Sequence, residues 1–299
     1  MQFKRTWKQV DGVLLLDKPL GMTSNDALQK ARRLFSAAKG GHTGTLDPLA
    51  TGLLPLCFGE ATKFSADLLD ADKTYEAVVK LGITTDSGDA EGQVTSTAAV
   101  DVQLGQISEV LPQFIGDIQQ IPPMHSALKR NGRPLYELAR QGIEVEREPR
   151  AVTIFAIDCL DFAGDSLTLR VACSKGTYIR VLAADIGKAL GCGAHLAALR
   201  RTVVGDIRLD RAVTLADLES QDEVARMACL LPVDALLQSL PIVSVEGPEA
   251  ERFRHGNPVS LPAGLAGKIR VYAEGRLIGV GEPGHGDLLW PKRLVQLAD

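Results

Sequence analysis

The feature that most constrains this chain is a glycine-rich segment at residues 40–52, GGHTGTLDPLATG, with Asp47 near its centre. Glycine lets the backbone adopt positive φ and approach other groups closely, so four glycines in thirteen residues indicate a tight excursion of the chain. Pro48 favours an extended conformation for the residue before it, which can project the Asp47 carboxylate from a loop. We therefore predict a loop over residues 39–44 and an aspartate presented by the segment that follows.

Several kinds of protein use a segment of this type. A phosphate-binding loop would end in Gly-Lys-Ser or Gly-Lys-Thr, and that ending is missing. An aspartic-protease loop would contain Asp-Thr-Gly, which is absent here, and the sequence offers no second loop of that kind. By its own residues, the segment is most simply a structural turn.

The chain has 299 residues, of which 45% are hydrophobic and 23% are charged. This composition predicts a folded protein with one large domain or two unequal ones. No apolar run approaches the roughly 20 residues of a membrane span, and the N-terminus lacks the apolar core of a signal peptide. We expect a cytoplasmic protein that does not associate with membranes.

The cysteines point to a reducing compartment. There are five of them, widely spaced, and an odd number argues against a disulfide framework. Cys192 and His195 have the spacing of metal ligands, but no second close pair completes a four-ligand site. We expect two buried side chains there and no bound metal.

Charge is distributed unevenly although the net charge is only −4. Residues 170–211 carry eight Lys or Arg against three Asp, whereas residues 212–252 carry two Arg against eight acids. A phosphate backbone responds to such a local excess. Charge alone leaves two interpretations open, a nucleic-acid surface and an ordinary solvated face.

Hydrophobic periodicity predicts the main elements. The patterns indicate strands at residues 10–16, 73–81, 154–160 and 167–173, a helix capped by Thr23 or Ser24, a helix capped by Thr177, and short strands at 269–272, 277–280 and 294–297. Gly164 and Asp165 form a turn signal between two of these strands. The short strands after residue 240 suggest a small β domain.

Five motifs in order along the chain resemble those of the TruB family of tRNA pseudouridine-55 synthases. They are residues 12–25 (GVLLLDKPLGMTSN), the segment around Asp47, residues 72–75 (DKTY), residues 173–180 (CSKGTYIR) and residues 191–201 (GCGAHLAALRR). Each motif is weak alone, but their order and spacing cover nearly the whole chain. The resemblance implies an α+β fold with a mixed, mainly antiparallel central sheet and a small C-terminal β domain of the PUA type.

The same resemblance implies a division of the chain. Residues 1–240 would form the catalytic domain, with an RNA-gripping insertion at about 122–150, and residues 241–299 would form the RNA-binding C-terminal domain. The partner would be the T stem-loop of tRNA, bound by a monomer that requires no protein partner. No cofactor is expected, because the reaction involves no redox change and no group donor.

Roles for individual residues also follow from the resemblance. Asp47 would be the catalytic carboxylate, with Arg180 as a bidentate partner that keeps it charged and fixes its orientation. The remaining pocket residues would be His42, which fills the gap left by a flipped uridine, Tyr75, which stacks on the uracil, Tyr178 and Leu199. Lys18 and Lys129 would brace the site or contact RNA.

One position departs from the family pattern, since His125 stands in the insertion where the family usually has a tyrosine or phenylalanine. Two other functions are also compatible with these residues: a non-catalytic protein that binds and folds RNA, and a related synthase with a different uridine target. An isomerase that also assists tRNA folding would combine both activities. The carboxylate at Asp47 favours the enzyme, because RNA binding alone has no need for it.

Overall fold

A computed structural model describes residues 6–126, 128–130 and 132–296 of the chain. Strands and helices alternate irregularly along the sequence, as expected for an α+β fold. The strands are β1 (Gly12–Lys18), β2 (Gly40–His42), β3 (Ala50–Phe58), β4 (Lys73–Leu81), β5 (Ile83–Thr85), β6 (Val94–Thr97), β7 (Gly116–Gln120), β8 (Lys129–Arg130), β9 (Arg133–Pro134), β10 (Arg150–Ala163), β11 (Ser166–Cys173), β12 (Ala194–Val204), β13 (Ile207–Arg208), β14 (Val213–Thr214), β15 (Ile242–Ser244), β16 (Val259–Ser260), β17 (Ile269–Ala273), β18 (Arg276–Pro283) and β19 (Leu288–Leu294). The helices are α1 (Ser24–Leu34), α2 (Leu104–Val110), α3 (Leu135–Arg140), α4 (Ile179–Ala189), α5 (Leu215–Ser220), α6 (Glu223–Ala228) and α7 (Gly247–Arg254).

The central sheet has the strand order β14-β1-β3-β12-β4-β11-β10-β7, with β2 added to β3 and β13 added to β12. Strand β1 pairs in parallel with β14, and β3 pairs in parallel with β12, while the other ladders of this sheet are antiparallel. The prediction of a mixed, mainly antiparallel central sheet is therefore confirmed. The parallel pairing of β3 with β12 brings together segments separated by about 150 residues, and the candidate site lies beside it.

Helix α4 packs on the sheet because its apolar side chains recur at helical spacing. Ile179, Leu182 and Ile186 are buried against strands β4, β11 and β12. Each leucine-sized side chain fully removed from water contributes about 1.5–3 kcal/mol. The predicted cap of this helix was wrong in detail: the N-cap residue is Tyr178, and the hydroxyl of Thr177 instead donates to the Ser174 carbonyl at 2.9 Å.

Helix α1 begins where the sequence predicts. The N-cap is Thr23, whose hydroxyl accepts a hydrogen bond from the Asp26 amide at 3.0 Å. Its buried face carries Ala27 and Leu28, which pack with β1 and β3 in a second part of the core. The first strand, the strand over residues 73–81 and the hairpin around Gly164 are likewise present as predicted.

The C-terminal domain has a five-stranded sheet of order β15-β17-β18-β19-β16 and its own apolar core. The strand predicted at residues 294–297 is displaced, because β19 runs over Leu288–Leu294 and shares only Leu294 with that prediction, while residue 297 lies outside the described residues. Leu289 supplies a fully buried side chain, and an irregularity between Val280 and Gly281 accommodates Pro291 in the ladder.

The two sheets share apolar contacts. Leu277, Val280 and Val295 of the C-terminal domain belong to one core cluster with residues under β1 and β3, including Val13 and Leu53. The segment of residues 233–237 fills the space between them.

The loop predicted at residues 39–44 was partly wrong, because Gly40–His42 forms strand β2 against β3. This pairing uses backbone hydrogen bonds and needs no alternation of side chains, so the pattern gave no signal for it. Among the described residues, no helix has the length and apolarity needed to span a membrane.

Candidate active site

The segment that carries Asp47 is held in place by the chain between β1 and α1. The Ser24 hydroxyl donates to the Leu46 carbonyl at 3.0 Å and accepts from the Leu46 amide at 2.8 Å. The Gly21 amide donates to the Pro48 carbonyl at 2.9 Å. These three bonds fix the backbone on both sides of Asp47, so its carboxylate emerges from a rigid turn.

Lys18 stabilises the other side of this arrangement. Its side chain is fully buried, and its ammonium donates to the carbonyls of Pro19 at 2.9 Å and Met22 at 2.6 Å. Burial lowers the pKa of Lys18 to about 8, partly opposed by the nearby Asp47 charge. The ammonium of Lys18 therefore binds the backbone that holds the Asp47 segment, and it is buried in the protein.

Arg180 is the central cation of the site. Its Nη2 lies 3.1 Å from Oδ2 of Asp47, and its Nη1 lies 3.4 Å from Oδ2 of Asp89. The side chain of Asp47 is 46% exposed, whereas those of Arg180 and Asp89 are 8% and 5% exposed. The pairing of Asp47 with Arg180 was predicted, but the bidentate geometry was wrong, because the guanidinium divides its two ends between two carboxylates.

Asp89 was missed by the sequence analysis. It lies in a tight turn in which the Ser87 hydroxyl donates to Asp89 Oδ1 at 2.6 Å and the Ser87 carbonyl accepts from Arg180 at 3.3 Å. Gly88, between them, has a φ of 76°, a conformation that favours glycine. The available signal was an acidic residue directly after such a glycine, which marks a possible turn without indicating its partner.

The insertion also reaches Arg180. The backbone carbonyl of His125 accepts a hydrogen bond from Nη2 of Arg180 at 2.6 Å. The contact uses the main chain, so it does not depend on which side chain occupies position 125. The side chain of Lys129, also in the insertion, lies outside the described part of the structure.

Tyr75 and Leu199 lie on neighbouring strands next to the Asp47 segment. Leu199 of β12 is the register partner of Ala50 in β3 and of Ala77 in β4. Both Tyr75 and Leu199 pack against two parts of the apolar core. Burial raises the pKa of the Tyr75 hydroxyl, and the nearby Arg201 guanidinium opposes that shift. The strand predicted around Tyr75 therefore places its ring in the wall of the site.

Tyr178 is fixed by its backbone. The side-chain amide of Gln120 accepts from the Tyr178 amide at 2.9 Å and donates to its carbonyl at 3.3 Å. Burial raises the pKa of the Tyr178 hydroxyl, and the Asp47 charge contributes in the same direction. Tyr178 therefore lies within electrostatic range of Asp47, as Lys18 and Tyr75 do.

His42 occupies the end of β2, opposite Leu56 of β3. Its side chain is half-buried, and its Nδ1 has no hydrogen-bond partner within the described ranges. Burial lowers the pKa of His42, and the positive charge of Arg201 lowers it further. The imidazole is therefore neutral at pH 7 and presents a flat ring.

The basic segment of residues 170–211 is less free than its composition indicates. Arg170 pairs with Glu76 at 3.6 Å, Lys175 with Asp70 at 2.8 Å and Arg200 with Asp17 at 2.6 Å. Arg180 and Arg201 are buried. The residues of this segment that remain exposed without a salt bridge in the described structure are Lys188, Arg208 and Arg211.

The Cys192 and His195 pair shows no resemblance to a metal centre. Both side chains are buried, and His195 Nδ1 lies 2.9 Å from the Ile83 carbonyl oxygen. The described residues contain no group of three or more His, Cys, Asp or Glu arranged to hold a metal ion.

Three family models match this chain, over residues 32–238 and 241–295. Residues 32–179 match the N-terminal domain of the TruB family pseudouridylate synthases, residues 180–238 match the tRNA pseudouridylate synthase B C-terminal domain, and residues 241–295 match the C-terminal domain of pseudouridine synthase II TruB. The chain belongs to the TruB family of pseudouridylate synthases. The resemblance noted in the sequence is confirmed.

Two curated relatives and one solved structure illustrate the similarity. The chain is 91% identical over 299 residues to tRNA pseudouridine synthase B of Dechloromonas aromatica (strain RCB), covering 100% of both chains. It is 57% identical to tRNA pseudouridine synthase B of Aromatoleum aromaticum, covering 98% of this chain and 96% of the relative. A chain of a Cbf5-Nop10-Gar1 complex superposes with a TM-score of 0.74 at 28% identity, over 95% of this chain and 84% of that one. The predicted fold class is thereby confirmed.

Proposed function

We propose that this chain converts the uridine at position 55 in the T loop of tRNA to pseudouridine. The observation that carries the proposal is the Asp47 carboxylate, half-exposed on a braced turn and paired at 3.1 Å with the buried Arg180. The relatives are named tRNA pseudouridine synthase B, which supports the same substrate class.

The reaction breaks the bond between base and sugar, rotates the uracil and rejoins it through carbon. A carboxylate can assist by attacking the sugar carbon, by attacking the base or by removing a sugar proton, and each route needs its ionised form. Arg180 supplies the positive charge that maintains ionisation when RNA excludes water from Asp47. Asp89 holds the other end of the guanidinium and thereby orients it.

We propose that the site around Asp47 binds a planar base. We assign stacking on the uracil to Tyr75, and contacts that line the pocket to Tyr178 and Leu199. Stacking of a base on an aromatic ring contributes about 1–3 kcal/mol. We place the hydroxyl of Tyr75 next to the uracil carbon that must lose its proton.

A uridine inside a folded loop has to leave the base stack before it can react. We assign His42 to the space that the base leaves, because its neutral, flat ring can replace part of the lost stacking. Lys18 acts as a brace for the Asp47 segment, consistent with its buried ammonium.

Binding of tRNA is assigned to three regions: the insertion at residues 122–150 with Lys129, the exposed cations of residues 170–211, and the C-terminal domain from residue 241 onward. The catalytic chemistry requires no cofactor, because uridine and pseudouridine are isomers. We further propose that the chain acts in the cytoplasm as a monomer without a protein partner.

The decisive experiment is Asp47→Asn, assayed by tritium release from a T-arm stem-loop labelled at uridine C5. The amide keeps the shape and removes the charge, so turnover should fall by at least about 1000-fold while tRNA affinity changes little. Asp101→Asn, at an exposed position, provides the matched control.

Retention of even a few per cent of wild-type turnover by Asp47→Asn, in a preparation free of contaminating enzyme, would refute the catalytic assignment. Retention of RNA-folding activity by the inactive variant would show that a second, non-catalytic function accompanies the enzyme. Conversion of the isolated stem-loop by the purified chain alone would also establish that no protein partner is needed.

A further inference from the structure

Arg201 is a buried cation without a role in the reaction proposed above. Its residue is 1% exposed, its Nε donates to the Leu53 carbonyl at 2.8 Å, and its Nη2 donates to the Gly44 carbonyl at 3.2 Å. No salt bridge to Arg201 is present in the described part of the chain. A buried charge without an opposite charge is costly, so Arg201 is a candidate for a functional role.

Tyr75 is positioned to use this charge. Arg201 and Tyr75 are register partners on the adjacent strands β12 and β4, so their side chains leave the same face of the sheet, and the charge of Arg201 acts on the Tyr75 hydroxyl. A guanidinium only donates hydrogen bonds, so the Tyr75 oxygen would be the acceptor in any hydrogen bond between the two groups. A nearby positive charge favours the phenolate over the phenol.

Other charged or titratable groups around the pair do not replace this interaction. Those that act on Tyr75 or Arg201, or that feel the charge of Arg201, are Asp47 on its loop, Cys173 on β11, Lys73 on β4, Lys18 on β1 and His42 on β2. Asp47 and Cys173 disfavour ionisation of Tyr75, and the pKa of the hydroxyl is raised by burial. Arg201 is the cation placed to oppose these effects.

We infer that Arg201 is a positioning residue for pseudouridine formation, which orients the Tyr75 oxygen and stabilises the phenolate that removes the proton from uracil C5. The inference rests on the proposed role of Tyr75 and adds the residue that makes this role possible. Arg201 acts through Tyr75 and through the Gly44 carbonyl, and it does not itself contact the substrate.

The step balances without a co-reactant. After C5 has bonded to the sugar, it carries both the sugar carbon and its original hydrogen, and the ring contains an N1=C6 double bond. The Tyr75 phenolate accepts the hydrogen as a proton, and the C5–H electron pair forms the C5=C6 bond. The former N1=C6 π electrons move to N1, which takes a proton from water, and neutral Tyr75 later returns its proton to solvent.

The test uses Arg201→Met, Arg201→Gln and Arg201→Lys in the full chain, with Arg33→Met on an exposed helix position as the matched control. Fluorotyrosine is incorporated, and the fluorine resonance of Tyr75, one of four tyrosines, is assigned by its absence in Tyr75→Phe. Its titration midpoint is then compared with single-turnover rates on 5-deutero- and 5-protio-uridine substrates.

The neutral variants should move the Tyr75 midpoint to higher pH by about one unit and slow turnover at neutral pH by about tenfold or more. The isotope effect at C5 should increase, because proton removal becomes slower than the other steps. Arg201→Lys keeps a positive charge and should fall between wild type and the neutral variants. If the neutral variants do not fold, the test uses the lysine variant. Its Tyr75 titration midpoint should also move to higher pH, but by less than in the neutral variants.

An unchanged Tyr75 midpoint and isotope effect, with equal rate losses for lysine, glutamine and methionine, would assign Arg201 a purely structural role. An unchanged midpoint in a folded lysine variant would overturn the inference in the same way. Full activity of Tyr75→Phe would instead refute the role of Tyr75 on which the inference rests. The two failures are therefore separable.

Discussion

Arg180 and Asp89 form an ion pair that is almost fully buried, with 3.4 Å between Nη1 and Oδ2, directly behind the half-exposed Asp47. The pair leaves Nη2 of Arg180 available to Asp47. The orientation of the Asp47 carboxylate therefore depends on Asp89, which acts on it through Arg180.

Replacing Arg180 with lysine should be damaging although the charge is kept. A lysine ammonium is a single point of charge and cannot span two carboxylates, as the planar guanidinium does. We expect a fall in the single-turnover rate of about 100-fold, with a smaller effect on tRNA affinity. Arg33→Lys, at an exposed position of α1, serves as the control. Wild-type turnover by Arg180→Lys would mean that charge alone is sufficient.

Asp89→Asn should lower both stability and rate. The change removes one of the two negative charges that neutralise the buried Arg180, and breaking such a pair costs about 3 kcal/mol. The guanidinium is then no longer anchored at Nη1, so its alignment with Asp47 should loosen and turnover should fall about tenfold or more. Thermal unfolding and single-turnover kinetics measure the two effects, with Asp101→Asn for comparison. Unchanged kinetics in a destabilised variant would limit Asp89 to a structural role.

The affinity for tRNA should decrease steeply with salt, and the contributions of individual cations should differ. Each cation that contacts a phosphate should reduce the log–log salt slope by about 0.7–0.9 when it is removed. We expect this for alanine variants of the unpaired Lys188, Arg208 and Arg211. Variants of Arg170 and Lys175 should change the slope less, because Glu76 and Asp70 already neutralise these cations. A flat salt dependence in the wild type would place the whole basic segment away from the RNA.

His42 should act through shape and not through proton transfer. Its pKa is lowered by burial and by Arg201, so the ring is already neutral at pH 7 and stays neutral as the pH rises. The pH–rate profile from pH 7 upward should therefore have the same form in His42→Phe as in wild type. His42→Phe should keep much of the activity because a flat ring remains, whereas His42→Ala should lose about tenfold or more.

A substrate with an unpaired and unstacked target uridine separates the two possible roles of His42. Less flipping work remains on that RNA, so His42→Ala should be less impaired there. Equal inactivity of both variants on every substrate, together with loss of a titration near pH 6–7, would instead identify His42 as a general acid–base.

Residues whose roles are set by local pattern were predictable from the sequence. Thr23 caps α1 through a hydrogen bond to a residue three positions away, and alternation along residues 73–81 placed Tyr75 on a strand. The pairing of Asp47 with Arg180 was reached through the family motifs, since 133 positions separate the two residues.

Asp89 and Arg201 could not be assigned in this way. The partner of Asp89 lies on a helix 91 positions further along the chain, and the contacts of Arg201 involve carbonyl groups, which no side-chain pattern reveals. The binding of Arg180 to two carboxylates depends on the same distant turn, because that turn carries Asp89. Burial and tertiary pairing, which local periodicity does not encode, decide these roles.

The apolar cluster that joins Leu277, Val280 and Val295 to Val13 and Leu53 has a consequence for the integrity of the whole molecule. Strands β1 and β3 are lined by this cluster on one side, and their ends carry Lys18 and the close packing at Gly52. A chain truncated after residue 240 would therefore expose apolar side chains on one side of β1 and β3 and would be prone to aggregation. The last 59 residues complete the apolar core beside β1 and β3, so we expect the catalytic and C-terminal domains to be coupled in folding.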